Sequence, residues 1–372
     1  MKQIYLDYNA SAPIAPRVAA AMRPFLEESW GNPSSLHWAG VPARRAVEKA
    51  RGQVADLLGC SPEEIVFTSG GTESNNLAIQ GTFFAKGGEG SHCVTSAVEH
   101  PSVMRTFRFL ERQGARLTVV PVDRHGTVDP AAIDSAITQE TILVSVMHAN
   151  NEVGTIQPIR EIGEICRRRG VWFHVDAAQS AGKIPTRVDQ LGIDLLTVAG
   201  HKLYAPKGVG ALYVRRGVDL APLLHGAGHE RGLRSGTENV LLLVGLGEAC
   251  ALAAEHADPS PVRELRDHFE NALVTRYGDR IRVNGHPTER LPNTLSVNFV
   301  GRIGGEVLAR LEGVAASTGA ACHSGSVELS AVLEAMQVPP EVGMGAIRFS
   351  LGRETTREEI DWVLQRIAET VD

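Results

Sequence analysis

No two cysteines in this chain are spaced as Cys-x-x-Cys, no run approaches the ~18 to 20 apolar residues that cross a bilayer, and basic residues are not in excess. Each absence removes a class of function. The five cysteines, Cys60, Cys93, Cys166, Cys250 and Cys322, are an odd set without a paired spacing, which argues against a disulfide framework and against a four-thiolate zinc site. They are expected to be free, four of them as small buried hydrophobes. The histidines offer no His-Glu-x-x-His or comparable ligand spacing, so no resident metal is expected. With 37 Lys plus Arg against 43 Asp plus Glu, the chain lacks the electrostatic footprint of a nucleic-acid or anionic-membrane binder. The opening MKQIYLDYNASAP has no charged flank followed by an apolar core, which makes the cytoplasm the expected location. There is no low-complexity tract, like-charge run or internal repeat.

What is present is a chain of 372 residues, 43% hydrophobic and 22% charged, longer than one core usually supports. Apolar strand-like runs alternate with helical patterns at 64–69, 92–96, 116–122, 142–148, 171–176, 194–199 and 210–215. That alternation predicts an α/β fold with a mainly parallel seven-stranded sheet covered by helices on both faces. Pro259 and Pro261 break the pattern. After them come predicted strands near 281–285, 293–300 and 346–351 and helices near 262–277, 304–312, 327–337 and 356–371, read as a smaller α+β unit. The expected division is a large unit at 13–254 and a small one formed by 1–12 and 255–372, which carries Cys322.

Ligands of open parallel sheets collect at the carboxyl ends of the strands, and five polar clusters begin where strand runs end. Thr68 to Asn76 (TSGGTESNN) offers glycines, a hydroxyl and free helix-start N–H groups, as a phosphate cradle requires; a capped helix after a tight turn reads equally from the same residues. Asp176 ends an apolar strand, where a carboxylate needs a cation such as a protonated pyridine nitrogen, or else caps a helix. Lys202 stands at a strand end among small residues, as a Schiff-base lysine requires, although a surface lysine is the competing reading. His100 follows another strand, where its ring can stack on a planar cofactor, shuttle a proton or be structural. Cys322 lies in the small-residue stretch Ser317 to Ser326, suited to a mobile nucleophile and less to an inert thiol. Arg348 alternates with apolar neighbours on a strand, where its fork of donors suits a substrate carboxylate or an internal salt bridge.

Together with Tyr5-Leu6-Asp7-Tyr8-Asn9-Ala10, Gly31-Asn32-Pro33-Ser34-Ser35, MHANNEVG, HVDAAQS, GHKLYAPKGVGALYVRR, GHERGLRSGT and IRFSLGR, these segments resemble the cysteine desulfurases of the class V aminotransferase group nearly end to end. The resemblance implies pyridoxal 5'-phosphate (PLP) in the type I fold of PLP-dependent transferases. Lys202 would hold the cofactor, Asp176 would pair with its pyridine nitrogen, Gln179 would touch the ring hydroxyl and His100 would stack on the ring. Asn151 would sit beside cofactor and substrate. Gly71, Thr72 and His201 would hold the phosphate, joined by Thr237 from the other subunit of a homodimer. Asn32 and Arg348 would bind the carboxylate of L-cysteine, and Cys322 would take the sulfur as a persulfide for an acceptor or scaffold protein. In such a complex Cys322 is also a candidate transient iron–sulfur ligand. The long stretch from Cys322 to Arg348 resembles the branch with a long cysteine loop.

The chain departs from that pattern in two places. Ala199 stands where most relatives carry a serine or threonine before Gly-His-Lys, which removes one phosphate contact. The stretch Ala-Ala-Cys-His-Ser around Cys322 is as similar to selenocysteine lyases, which makes L-selenocysteine the alternative substrate. A non-catalytic assembly partner that keeps the fold, and an aminotransferase on the same fold, are the readings from other classes.

Overall fold

The computed structural model describes residues 2–318, 320–323 and 326–371; at 320–323 and 326–327 it describes the backbone alone. The runs read from the sequence form one seven-stranded sheet in the order Ile65–Thr68, Gly210–Val214, Leu195–Ala199, Trp172–Asp176, Thr141–Ser145, His92–Ser96 and Arg116–Val120. All of its pairings are parallel except the two made by Gly210–Val214, which runs against both neighbours. The strands at 141–145, 172–176 and 195–199 are buried along almost their whole length, as strands covered on both faces must be, which is why they read as continuous apolar runs. The strand expected to reach residue 122 stops at Val120, because Pro121 has no N–H to give the ladder.

Helices cover both faces of this sheet. On one, Gly40–Leu58 buries Ala43, Val47, Ala50, Val54 and Leu58 at helical spacing and packs against Val240–Glu255. On the other, Gly71–Thr82 and Pro101–Glu111 close over the sheet with Leu77, Ala78, Val103, Phe107 and Leu110.

A second, antiparallel sheet has the order Ser317–Thr318, Ala346–Ser350, Thr294–Phe299 and Ile281–Asn284. Its core gathers Phe269, Leu273, Val297, Phe299, Phe349, Ile360 and Val363 together with Ile4 and Leu6 from the start of the chain. Ile4–Tyr5 pairs with Val314–Ala315, outside the main sheet.

The helix expected at 327–337 is mostly something else. Ser326–Leu329 is a strand paired antiparallel with Ala320–His323, and the helix runs only from Ala331 to Ala335. Ser330 accounts for the late start: its hydroxyl accepts the Leu333 N–H as an N-cap, which fixes the first helical turn beyond it.

Candidate active site

Pairing in the main sheet builds the site. Thr68 lies opposite Gly210, and Gly210 opposite Ala199, so the turn after Thr68 and the turn after Ala199 emerge side by side. Gly70 has φ +145°, a conformation open in practice only to glycine, and it starts the helix Gly71–Thr82. A Cβ on Gly71 would sit 3.2 Å from the Ala199 methyl, so the first helical turn lies directly against the strand end that leads to His201 and Lys202.

Between these turns and the second sheet is a cavity of about 350 Å³, within the range of small-molecule sites. Gly71, Thr72, His100, Asn151, Asp176, Gln179, Ala199, His201, Lys202 and Arg348 all line it. The sequence placed these residues on separate strand ends, and the fold brings them together. Asn32 and Thr237 do not join them. Asn32 lies on an exposed turn, its side-chain oxygen accepting the Ser34 N–H at 2.9 Å, and Thr237 lines a different cavity with Phe67, Thr68 and Ser69. The side chain of Cys322 lies outside the described residues; its backbone is in the Ala320–His323 strand, opposite Val327.

Lys202 donates to the main-chain carbonyls of Asn9 and Ala10, the latter at 2.8 Å. Burial, and then the Arg348 guanidinium, push its amine down to about 8, against the opposing pull of Asp7 and Asp176. A lysine so placed has a lone pair to offer near neutral pH, as carbonyl chemistry requires. Asp176, 5% exposed, accepts Asn75 Nδ2 at 2.7 Å and the Ala178 N–H at 2.9 Å, so its carboxylate is aimed and not free to rotate. Gln179 donates to the Asn9 carbonyl at 2.9 Å, and its side-chain oxygen accepts from Lys183 at 3.0 Å. Burial pushes Lys183 down to about 7, with Lys202 and Arg348 adding to the effect.

The residues fit PLP. The N–H groups of Gly71, Thr72 and Glu73 have no acceptor inside their helix, and the three residues line a cavity together with Ser11, His201 and Lys207. His201 Nδ1 and Ser11 Oγ are buried without a partner among the described residues, two polar atoms that an anion or its bound water would satisfy. Burial, followed by Lys202 and Lys207, pushes His201 down to about 4. Ala199 offers no hydroxyl there, as the sequence indicated.

Arg348 lies in this cavity and in an ion pair at once. Its guanidinium donates to Asp7 Oδ1 at 2.6 Å, to Ser317 Oγ at 2.9 Å and to the Asn151 carbonyl at 2.9 Å. Its Nε is buried with no partner among the described residues, so the guanidinium is not fully spent.

Several residues of the site were not singled out from the sequence: Asn9, Asp7, Asn75, Ser102 and Lys183. Asn9 is the hub. Its carbonyl accepts from Lys202 and Gln179, its side-chain oxygen from Lys183 and Asn293, and its amide donates to Thr294 Oγ1 at 2.8 Å and the Asn151 carbonyl at 3.2 Å. Its only sequence signal is a polar residue inside the short motif Tyr5 to Ala10. Asn75 lies one helical turn beyond Gly71 and Thr72, where a search at helical spacing from the named residues would have found it, whereas Ser102, two positions beyond His100, carries no such signal.

Residues 4–363 match the class-V aminotransferase family. Over 99% of this chain and 95% of the other, the sequence is 48% identical to the cysteine desulfurase IscS of Dictyoglomus turgidum. It is 47% identical to that of Methanosarcina thermophila over 100% of this chain and 92% of the relative. Among solved structures, a NifS-like protein superposes with a TM-score of 0.92 at 38% identity, covering 99% of this chain and 98% of that one. The protein SspA in complex with cysteine superposes with a TM-score of 0.84 at 38% identity, over 93% of this chain and 98% of that one. A site built around a half-buried lysine and an aimed carboxylate, on a chain with these relatives, has one family: the protein belongs to the class V aminotransferases, PLP-dependent enzymes, and within them to the cysteine desulfurases.

Proposed function

We propose that this chain removes sulfur from L-cysteine, releasing L-alanine and retaining the sulfur as a persulfide on Cys322. The observation that carries the reading is the Lys202 amine, pushed down to about 8 inside a cavity that also holds Asp176, His100 and Arg348. Arg348 and Asn151, which line that cavity, would receive the substrate carboxylate. PLP, held by Lys202, Asp176, Gln179 and the phosphate cradle of Gly71, Thr72 and His201, supplies when bound a sink for the electron pair left at the substrate α-carbon. Lys202, as a neutral amine, takes the α-proton. The Cys322 thiolate attacks the substrate sulfur; the sulfur–sulfur bond forms as the carbon–sulfur bond breaks, and the β-carbon keeps that electron pair and takes a proton. Cysteine and the Cys322 thiol thus become alanine and a persulfide, with no further oxidant or reductant.

The other cysteines support Cys322 in this role. Burial pushes the thiols of Cys60, Cys93, Cys166 and Cys250 up to about 12, which keeps them unreactive near neutral pH. That these four are also unpaired supports a reducing, cytoplasmic location, which we propose with the rest. The homodimer belongs to the proposal too. Thr237 lines a cavity other than that of its own chain's Lys202, and on the segment that carries Asn32 the exposed Trp30 and Trp38 rings meet edge to face, with Leu36 exposed between them in sequence. The persulfide would pass to an acceptor or scaffold protein.

The test is alanine formation from L-cysteine and from L-selenocysteine, run in parallel on wild type and Cys322→Ala. Turnover of cysteine that disappears with the thiol supports the proposal. Efficient turnover of selenocysteine alone, surviving Cys322→Ala, assigns a selenocysteine lyase instead.

A further inference from the structure

His100 Nδ1 is approached by two hydrogens from one residue. The Ser102 N–H donates to it at 3.1 Å, making His100 the N-cap of the helix Pro101–Glu111, and the Ser102 hydroxyl lies 2.8 Å away. Where the hydroxyl hydrogen sits follows from the next link. Asn75 Nδ2 gives one hydrogen to Ser102 Oγ at 2.8 Å and the other to Asp176 Oδ2 at 2.7 Å. The amide must face this way, because its oxygen turned toward Asp176 would set acceptor against acceptor. Ser102 Oγ therefore accepts from Asn75, and among the described residues its own hydrogen has no acceptor other than His100 Nδ1. Nδ1 thus holds a lone pair against two donors, and the proton of the neutral ring sits on Nε2.

We propose that Asn75 and Ser102 are positioning residues that lock His100 in its Nε2–H tautomer and tie it to Asp176, so that His100 serves the reaction as a neutral hydrogen-bond donor and not as a proton carrier. The catalytic half of this inference rests on reading the Lys202 cavity as the reaction centre. To carry a proton, the ring would have to become a cation with an N–H at Nδ1. That hydrogen would meet the Ser102 main-chain N–H, which cannot reverse, and would force the hydroxyl to turn away from its acceptor. The proton at the α-carbon is then left to Lys202. The titratable groups around the ring are Asp176, Lys202 and His201; burial and Lys202 hold the ring below the ordinary histidine range, and Asp176 alone pulls the other way. A neutral histidine at a helix N-terminus, donating to a substrate instead of exchanging protons with it, is a known catalytic arrangement.

The test is nitrogen NMR of the ring in the ¹⁵N-histidine holoenzyme, followed between about pH 5 and 9 without turnover. Wild type should give the Nε2–H tautomer across that range. Ser102→Ala and Asn75→Ala should each raise the ring pKa by about half a unit to one unit, the worth of one neutral hydrogen bond. Because both act through one hydroxyl, the double variant should shift no further than Ser102→Ala alone, and Ser102→Thr should restore the wild-type spectrum. An Nδ1–H tautomer in wild type, fully additive shifts, or no shift in Ser102→Ala would overturn the lock. Failure to desulfurate cysteine with the tautomer intact would instead count against the proposed function.

Discussion

Arg348 enters the cavity with its guanidinium already on a carboxylate: Nη2 lies 2.6 Å from Asp7 Oδ1, and the two residues stand at opposite ends of the chain. The pair joins the N-terminal segment to the second sheet and also sets how much of the guanidinium is left for substrate. Replacing Arg348 with Ala removes a charge-assisted contact to the substrate carboxylate and should raise KM about 10- to 100-fold. Asp7→Asn keeps an acceptor but releases the charge, and KM should fall. Steady-state kinetics on the two variants checks this; a rise in KM for both would mean that Asp7 matters for aiming Arg348 more than for competing with substrate.

The Lys202 amine sets a pH dependence. Its folded-state pKa is lowered, so the neutral amine is present above about 8 and lost as pH falls through that value. In cofactor-free protein, labelling of Lys202 by an acylating reagent, read by peptide mass, should rise with a midpoint near there. Burial is the larger cause and Arg348 the next, so Arg348→Ala should move the midpoint upward without restoring the ordinary lysine value. A midpoint at the ordinary value in wild type would show an amine that is not desolvated.

Arg51 and Glu230 form a bidentate pair with both distances 2.8 Å, side chains 7% and 2% exposed, and Glu230 also accepts the Phe67 N–H at 2.8 Å. Glu230 itself has φ +47°, a conformation that the pair helps to hold. Glu230→Ala takes the bidentate partner from a buried guanidinium that keeps only the Ile65 carbonyl and the exposed Glu48, and should cost about 3 kcal/mol in urea unfolding, whereas a shape-conserving Glu230→Gln should cost less.

Much of this site was legible in the sequence for a physical reason. Parallel strands end on one edge, so a polar residue that closes an apolar run, such as Asp176 or Lys202, is near the ligand wherever the strand lies in the sheet. The antiparallel course of Gly210–Val214 carries no such signature, since a run buried on both faces reads the same in either direction. Asn9, Asp7 and Ser317 stayed hidden because they reach the cavity, or the Arg348 guanidinium that lines it, from the chain's start and from the second sheet, and contacts that distant in sequence leave no periodic trace. The strand Ser326–Leu329 was read as helix because four residues are too few to separate a period of two from one of 3.6.

The five cysteines should differ sharply toward an alkylating reagent. With Cys60, Cys93, Cys166 and Cys250 pushed up to about 12, only Cys322 should be modified within minutes near neutral pH. Peptide mapping after a short pulse checks this; fast labelling of Cys93, Cys166 or Cys250 would contradict the burial that the structure assigns them, and fast labelling of Cys60, which is half-buried and not buried as expected from the sequence, would contradict its raised pKa.

The most direct test of the account is the mass of the Cys322 peptide after the holoenzyme has met one equivalent of L-cysteine with no acceptor present. A gain of one sulfur atom on that peptide, removed by a thiol reductant and matched by alanine released, is the predicted result. Alanine formed with the Cys322 peptide unchanged in mass, and the sulfur found free in solution or on another cysteine, would contradict it.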